Sequence, residues 1–295
     1  MIRRTLFRDT ATGFATVVLA AVLLIVVLGT TLSPYAPNAI DTTQQLLSPS
    51  IAHPFGTDEF GRDLFTRFAH GGWTSLGLAI AIVAASGVIG LLIGTASGYR
   101  GGALDTVVMR ACDALQAFPL LLLAMLIAYA LGRGTWPLFV ALAVAYVPYF
   151  VKVSRGVTLS KREAVYVEAA RTQGAGTGRI LVTHVLPHVF PPVLTQMTMA
   201  AGSALLAIAG LSIIGLGAPA PSPEWGAILA GSATHVFQAW WYVVIPGALI
   251  TLTAMTFSLL GDSLRDTFDE GASTLGRRRS RAAAVRRAQA RRAPA

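Results

Sequence analysis

One cysteine, Cys112, is all the thiol the chain has, so an internal disulfide and a cysteine-based metal site are both excluded. Charge is scarce too: 23 Lys plus Arg and 14 Asp plus Glu amount to 13% of 295 residues, about half the share that covers a soluble domain. With 54% apolar residues and a mean hydropathy of +0.62, the shortage points to a polytopic, all-α membrane protein. The net charge of +9 is then no sign of nucleic acid binding. Ionisable groups are missing from the middle of every apolar run, which argues against a proton- or sodium-driven carrier. No phosphate loop of the form G-x-x-x-x-G-K-S/T occurs, so nucleotide chemistry is expected on another subunit. Nor can a nucleophile, base and acid set or a pair of catalytic carboxylates be assembled from the apolar runs, and no catalytic residue or cofactor is assigned. His184 and His188 stand four apart, but Pro187 lies between them and no acid is near, so no metal is assigned there.

What is present is long uncharged sequence. Windows without Asp, Glu, Lys or Arg run over 10–40, 68–99, 114–132, 134–151, 180–223 and 225–261. About 20 apolar residues cross the hydrocarbon as a helix, and backbone in lipid has no other way to pair its polar groups. Six spans follow, at 14–32, 76–97, 114–131, 136–153, 194–217 and 240–260. Arg3, Arg4 and Arg8 precede the first, as in a signal sequence, but its apolar run is longer than a signal core, so it reads as a retained anchor.

Basic residues set the expected orientation. With both termini cytoplasmic, 20 Lys and Arg fall inside and three, Arg62, Arg67 and Arg133, outside. This divides the chain into a cytoplasmic tail 1–13, a transmembrane domain 14–262 with an outer loop 33–73, and an Arg-rich cytoplasmic tail 263–295. That last tail has no acid beyond Glu270 and reads as disordered chain that touches anionic lipid. In the outer loop, Asp58, Glu59, Arg62 and Asp63 suit either an internal charge cluster or a partner contact.

Between the fourth and fifth spans, 156–187 carries the densest functional signal. Ser160 and Glu163 form a capping-box pattern that predicts a helix to Gln173, with Gly174 as its left-handed stop. Thr177 can cap a second short helix, which Pro187 is expected to end. Pro119, Pro148 and Pro246 interrupt three spans. Thr195, Gln196, Thr198, Ser203, Thr251, Thr253 and Thr256 are the polar groups of the last two spans, suited to lining a path or to bonding their own helices.

The order Glu168, Ala169, Ala170, three residues, Gly174, then Leu186 and Pro187 resembles the EAA loop of permease subunits in binding-protein-dependent ABC importers. HPFGTDEFGRD at 53–63, GYRGG at 98–102, DALQAFP at 113–119, LSIIGLG at 211–217, SPEWG at 222–226 and LGDSLRDTFD at 260–269 are similar to the second permease of dipeptide, oligopeptide and nickel importers. The resemblance covers roughly 14–270. His184 replaces an apolar residue of the pattern, and His188 stands where many relatives have Asn.

That resemblance implies a MetI-like fold in the cytoplasmic membrane and transport of dipeptides or oligopeptides, with nickel or another small solute as the alternative. It implies a heterodimer with a second permease, two ATP-binding subunits that hold ATP and Mg, and an extracytoplasmic substrate-binding protein. Glu168, Ala169, Ala170, Gly174, Leu186 and Pro187 would form the coupling element that docks on the ATPase. Gln196, Thr198, Ser203 and Thr253 are candidates for the translocation path.

Overall fold

The computed structural model describes residues 10–290, with side chains described through Phe268. Its helices are α1 (Thr10–Leu32), α2 (Leu64–Arg100), α3 (Gly102–Gln116), α4 (Leu120–Leu131), α5 (Thr135–Arg162), α6 (Val165–Thr172), α7 (Thr177–Ile180), α8 (Leu186–Ile213), α9 (Trp225–Ser232) and α10 (Trp240–Ala290). A π turn, Leu181–Val185, joins α7 to α8. Five helical segments are long and apolar enough to cross a membrane, and the bent pair α3 and α4 makes a sixth. The six expected spans each have a counterpart.

Packing centres on α2 and α5. Gly90, Gly94 and Gly98 recur every fourth residue on α2, and a Cβ at Gly94 would lie 2.3 Å from the Val151 carbonyl oxygen. Only glycine lets the two backbones come this close, the small-residue packing favoured in membranes. Phe150, Leu142 and Leu138 fill the space beside this seam. On the other side, Gly202 of α8 lies against the Ala254 backbone of α10.

α2 starts where Asp63 accepts from the Thr66 amide at 2.7 Å, and ends at Gly101, whose N–H returns to the Ser97 carbonyl at 2.8 Å. At about 1.5 Å per residue α2 is some 56 Å long, far more than a bilayer core. Its first two turns are therefore sheathed by protein, namely the loop 33–63 and α9. There Trp225 stacks on Phe68 with centroids 4.4 Å apart, and its indole N–H donates to the Phe68 carbonyl at 2.8 Å.

Four local expectations need correction. The third span is not continuous: α3 and α4 meet at 89° across 117–119. Pro119 takes the N-cap position of α4, and a residue before proline avoids the helical region. Pro148 and Pro246, by contrast, sit inside unbroken helices. The capping box at Ser160 does not form, because α5 continues to Arg162 and Ser160 Oγ donates back to the Val157 carbonyl. Pro187 does not end a helix either but opens α8, where the wider π turn before it spares the backbone a clash with the ring. In the tail expected to be disordered, α10 runs on to Ala290 through residues rich in Ala and Arg, strong helix formers.

Candidate functional site

The loop after α5 is held firmly although it is short. Val167 of α6, Ile180 of α7 and Val185 of the π turn are all buried, and fix these turns against the bundle. α6 ends in a Schellman motif: Ala175 N–H bonds the Ala170 carbonyl, Gly174 N–H bonds the Arg171 carbonyl, and Gly174 adopts φ +81°. No atom lies within 4 Å of a Cβ placed on Gly174, so glycine is required there by its backbone angle alone.

Glu168 projects from this pinned helix and is exposed. Its nearest basic neighbours are committed elsewhere. Arg171 donates to the Tyr99 hydroxyl at 3.2 Å and lies over that ring, and Arg162 bonds Glu163 and the Gly98 carbonyl. Among the described residues the Glu168 carboxylate has no hydrogen bond or ion pair, so neither the pairing with Arg171 that helix spacing permits nor one with Arg162 forms. The field of Arg171 still reaches it.

Ala169 is exposed beside it, Ala170 half-buried against the core, and Leu186 and Pro187 follow at the start of α8. The six loop residues are thus brought to one end of the bundle. Sequence reading passed over three apolar side chains there: Val165 is 82% exposed, Val182 63% and Tyr166 40%. Their mark in the sequence is that they break the polar face of an otherwise amphipathic turn. The Tyr166 ring also approaches His184 and His188, at centroid distances of 6.5 and 5.6 Å.

A second feature lies within the bundle. A cavity of about 650 Å³ opens between the α3–α4 elbow, α5, α8 and the middle of α10. Gln196 and Ser203 line it. Thr198 and Thr253 do not, and return their hydroxyls to the Leu194 and Leu249 carbonyls of their own helices. Thr195, Thr251 and Thr256 do the same with Pro191, Gly247 and Leu252. Sequence reading missed Gln116, Tyr146 and Tyr149, which share the cavity wall. Their signal was present in Tyr146 and Tyr149, phenols three residues apart in an apolar helix.

At the opposite end of the bundle the acids and bases of the outer loop satisfy one another. Asp58 is fully buried and accepts from Arg62 Nε at 2.6 Å, with Arg67 Nε 3.4 Å away. Asp63 binds His53 Nδ1 at 2.9 Å as well as capping α2, and Glu59 accepts from the Tyr242 hydroxyl of α10. Of the two readings of this cluster, the internal one is realised. Nearby, Glu224 is buried and caps α9 through the Gly226 and Ala227 amides. Burial holds its carboxyl above the usual range for glutamate, against the pull of those bonds.

Residues 87–274 match the family described as the inner membrane component of binding-protein-dependent transport systems. Among similar proteins is one named "Probable D,D-dipeptide transport system permease protein DdpC" from Escherichia coli K12, 43% identical over 86% of this chain and 85% of its own length. The dipeptide transport system permease protein DppC of Alkalihalophilus pseudofirmus is 36% identical over 86% and 83%. The nickel transport system permease protein NikC of E. coli K12 is 34% identical over 86% and 92%.

Proposed function

Because the chain belongs to the family of inner membrane components of binding-protein-dependent transport systems, and so is a multi-pass permease subunit of an ABC importer, we propose that it carries short peptides and that Glu168 couples it to ATP hydrolysis. The family is a transport component and not itself an enzyme. ATP and Mg belong on two partner ATPases, substrate delivery to an extracytoplasmic binding protein, and the other half of the path to a second permease. The 20 to 3 distribution of basic residues supports cytoplasmic termini, with the α6–α7 loop on the ATPase side.

One observation carries the coupling role: an exposed, unpaired carboxylate stands on a helix whose underside is locked by Val167 and Ile180. Such a group breaks no bond within its own chain on docking and exchanges its water for charge-assisted bonds from a partner. A helix tied to α2 through Arg171, next to the α5 end that Arg162 ties to the same helix, also transmits movement to α2 rather than absorbing it. Exposed Val165, Tyr166 and Val182 supply apolar contact around it.

Peptide cargo is supported by relatives named for dipeptide transport and by the chemistry of the cavity. Its wall offers amide and hydroxyl groups from Gln116, Tyr146, Tyr149, Gln196, Ser203 and Ser258, among apolar side chains. These pair with amides and do not strip a metal from its chelator, which ranks peptides above the nickel cargo of the 34% identical relative.

The test is uptake by the complete complex in proteoliposomes. Glu168→Ala and Gly174→Asp are each expected to lower peptide uptake and peptide-stimulated ATP hydrolysis about tenfold, a loss typical of a charged contact, while the complex still reaches the membrane. Normal uptake with either substitution would sink the coupling assignment.

A further inference from the structure

Two cavities meet at one side chain. Gln196 lines the 650 Å³ cavity and also a second one of about 240 Å³, formed with Pro192, Thr195, Arg265 and Phe268. Pro192 and Thr195 precede Gln196 on α8, and Arg265 and Phe268 follow Ser258 on α10, so the smaller cavity lies on the Glu168 side of the larger. Between them Gln196 is bridged to α5, where the Tyr149 hydroxyl donates to its Oε1.

This bridge belongs to a series. Along α5, Tyr146 bonds Ser203 at 3.1 Å, Tyr149 bonds Gln196, and Lys152 Nζ bonds both Gln116 and Asp113, the latter at 2.8 Å. Three residues apart, successive rungs are about 4.5 Å apart along the helix. The first two rungs are neutral, and the charged one comes last, toward the Glu168 end. The amide nitrogen of Gln196 makes no hydrogen bond among the described residues, so its donors remain for something that enters the cavity.

We infer that the Tyr149–Gln196 hydrogen bond is the latch of an inner gate, closed in this structure, and that a peptide amide in the larger cavity opens it by exchanging for one of its partners. The exchange breaks the one neutral hydrogen bond and forms two: a peptide N–H donates to the freed Gln196 Oε1 and a peptide carbonyl accepts from the freed Tyr149 hydroxyl, so neither group is stranded. A substrate amide offers both this donor and this acceptor, whereas a purely apolar solute offers neither. The latch joins α5 to α8, the two helices that flank the α6–α7 loop, and a displacement of that loop bears directly on both sides of it. The inference rests on the permease reading above and adds to it the place where the path is shut.

The test uses the complete complex in proteoliposomes with its ATPases facing outward. In a Cys112→Ser background, Ala200→Cys places a thiol on the far side of the latch, in the wall of the larger cavity. A membrane-impermeant thiol reagent is then added from the ATPase side. Tyr149→Phe and Gln196→Leu are each expected to speed labelling about fivefold, the change for one lost neutral hydrogen bond, and the double substitution no more than either alone. Labelling within about twofold of the unsubstituted latch in both single variants overturns the gate, whatever happens to uptake. If labelling accelerates as expected but the unsubstituted complex moves no peptide, the latch stands, and its opening by a peptide amide falls together with the peptide reading.

Discussion

Arg155 grips Asp105 with two parallel hydrogen bonds, Nε to Oδ1 at 2.5 Å and a terminal nitrogen to Oδ2 at 2.6 Å. The pair fastens the start of α3 to α5 at the Glu168 end, next to the seam of α2. It holds the end of α3 that lies opposite the 89° bend between α3 and α4.

A flat guanidinium can make this fork and an ammonium cannot. Arg155→Lys is therefore expected to cost roughly 1–2 kcal/mol of stability, seen as a lower Tm in detergent. Asp105→Asn should cost a similar amount. An unchanged Tm in both would show that the pair restrains nothing.

The α2–α5 seam makes a sharper demand. Gly94→Ala places a methyl 2.3 Å from the Val151 carbonyl oxygen, so the helices must part. Overpacking of this kind costs about 1–3 kcal/mol. Gly77, on the same helix, has nothing within 4 Å of its Cβ position, and Gly77→Ala is expected to leave stability unchanged or slightly raised. Thermal unfolding of the two variants side by side checks the contrast.

Glu224 gives a pH dependence. Its carboxyl titrates above the ordinary value of 4.5 because it is buried, so the folded chain holds the proton more tightly than the unfolded one. Its contribution is complete below pH 4.5 and is lost as pH rises through the elevated folded value. Glu224→Gln keeps a neutral acceptor for Gly226 and Ala227 and has no proton to lose. The difference in Tm between wild type and Glu224→Gln is expected to move in favour of the variant as pH increases over that interval; a difference that stays flat with pH would refute the assignment.

Much of this architecture could be read from the chain because lipid leaves few choices: each long uncharged run had to be a helix. Gly174 was legible for a similar reason, as a backbone requirement written in one residue type. What stayed hidden was relational. The Gly90, Gly94 and Gly98 repeat is visible as spacing, but only the fold says that α5 lies on it. Tyr149 and Gln196 are 47 positions apart, and no local rule joins them. Likewise, Ser160 and Glu163 matched a capping box, yet α5 runs past Ser160 to Arg162 and Glu163 caps its C-terminal end, because its buried face continues through Thr158. For Glu168 the nearby bases are Arg162 and Arg171, and no local rule says that Gly98 and Tyr99 engage them instead.

The elbow at Pro119 also concerns the lipid. α4 has 12 residues, a rod of about 18 Å, where the hydrocarbon is about 30 Å thick. Alone it is too short to cross, and the full-length helix α5, against which it packs, carries the chain through the remaining depth. Hydrophobic mismatch thus has a definite place in this fold, the short α4, and acyl chain length is the variable that tunes it.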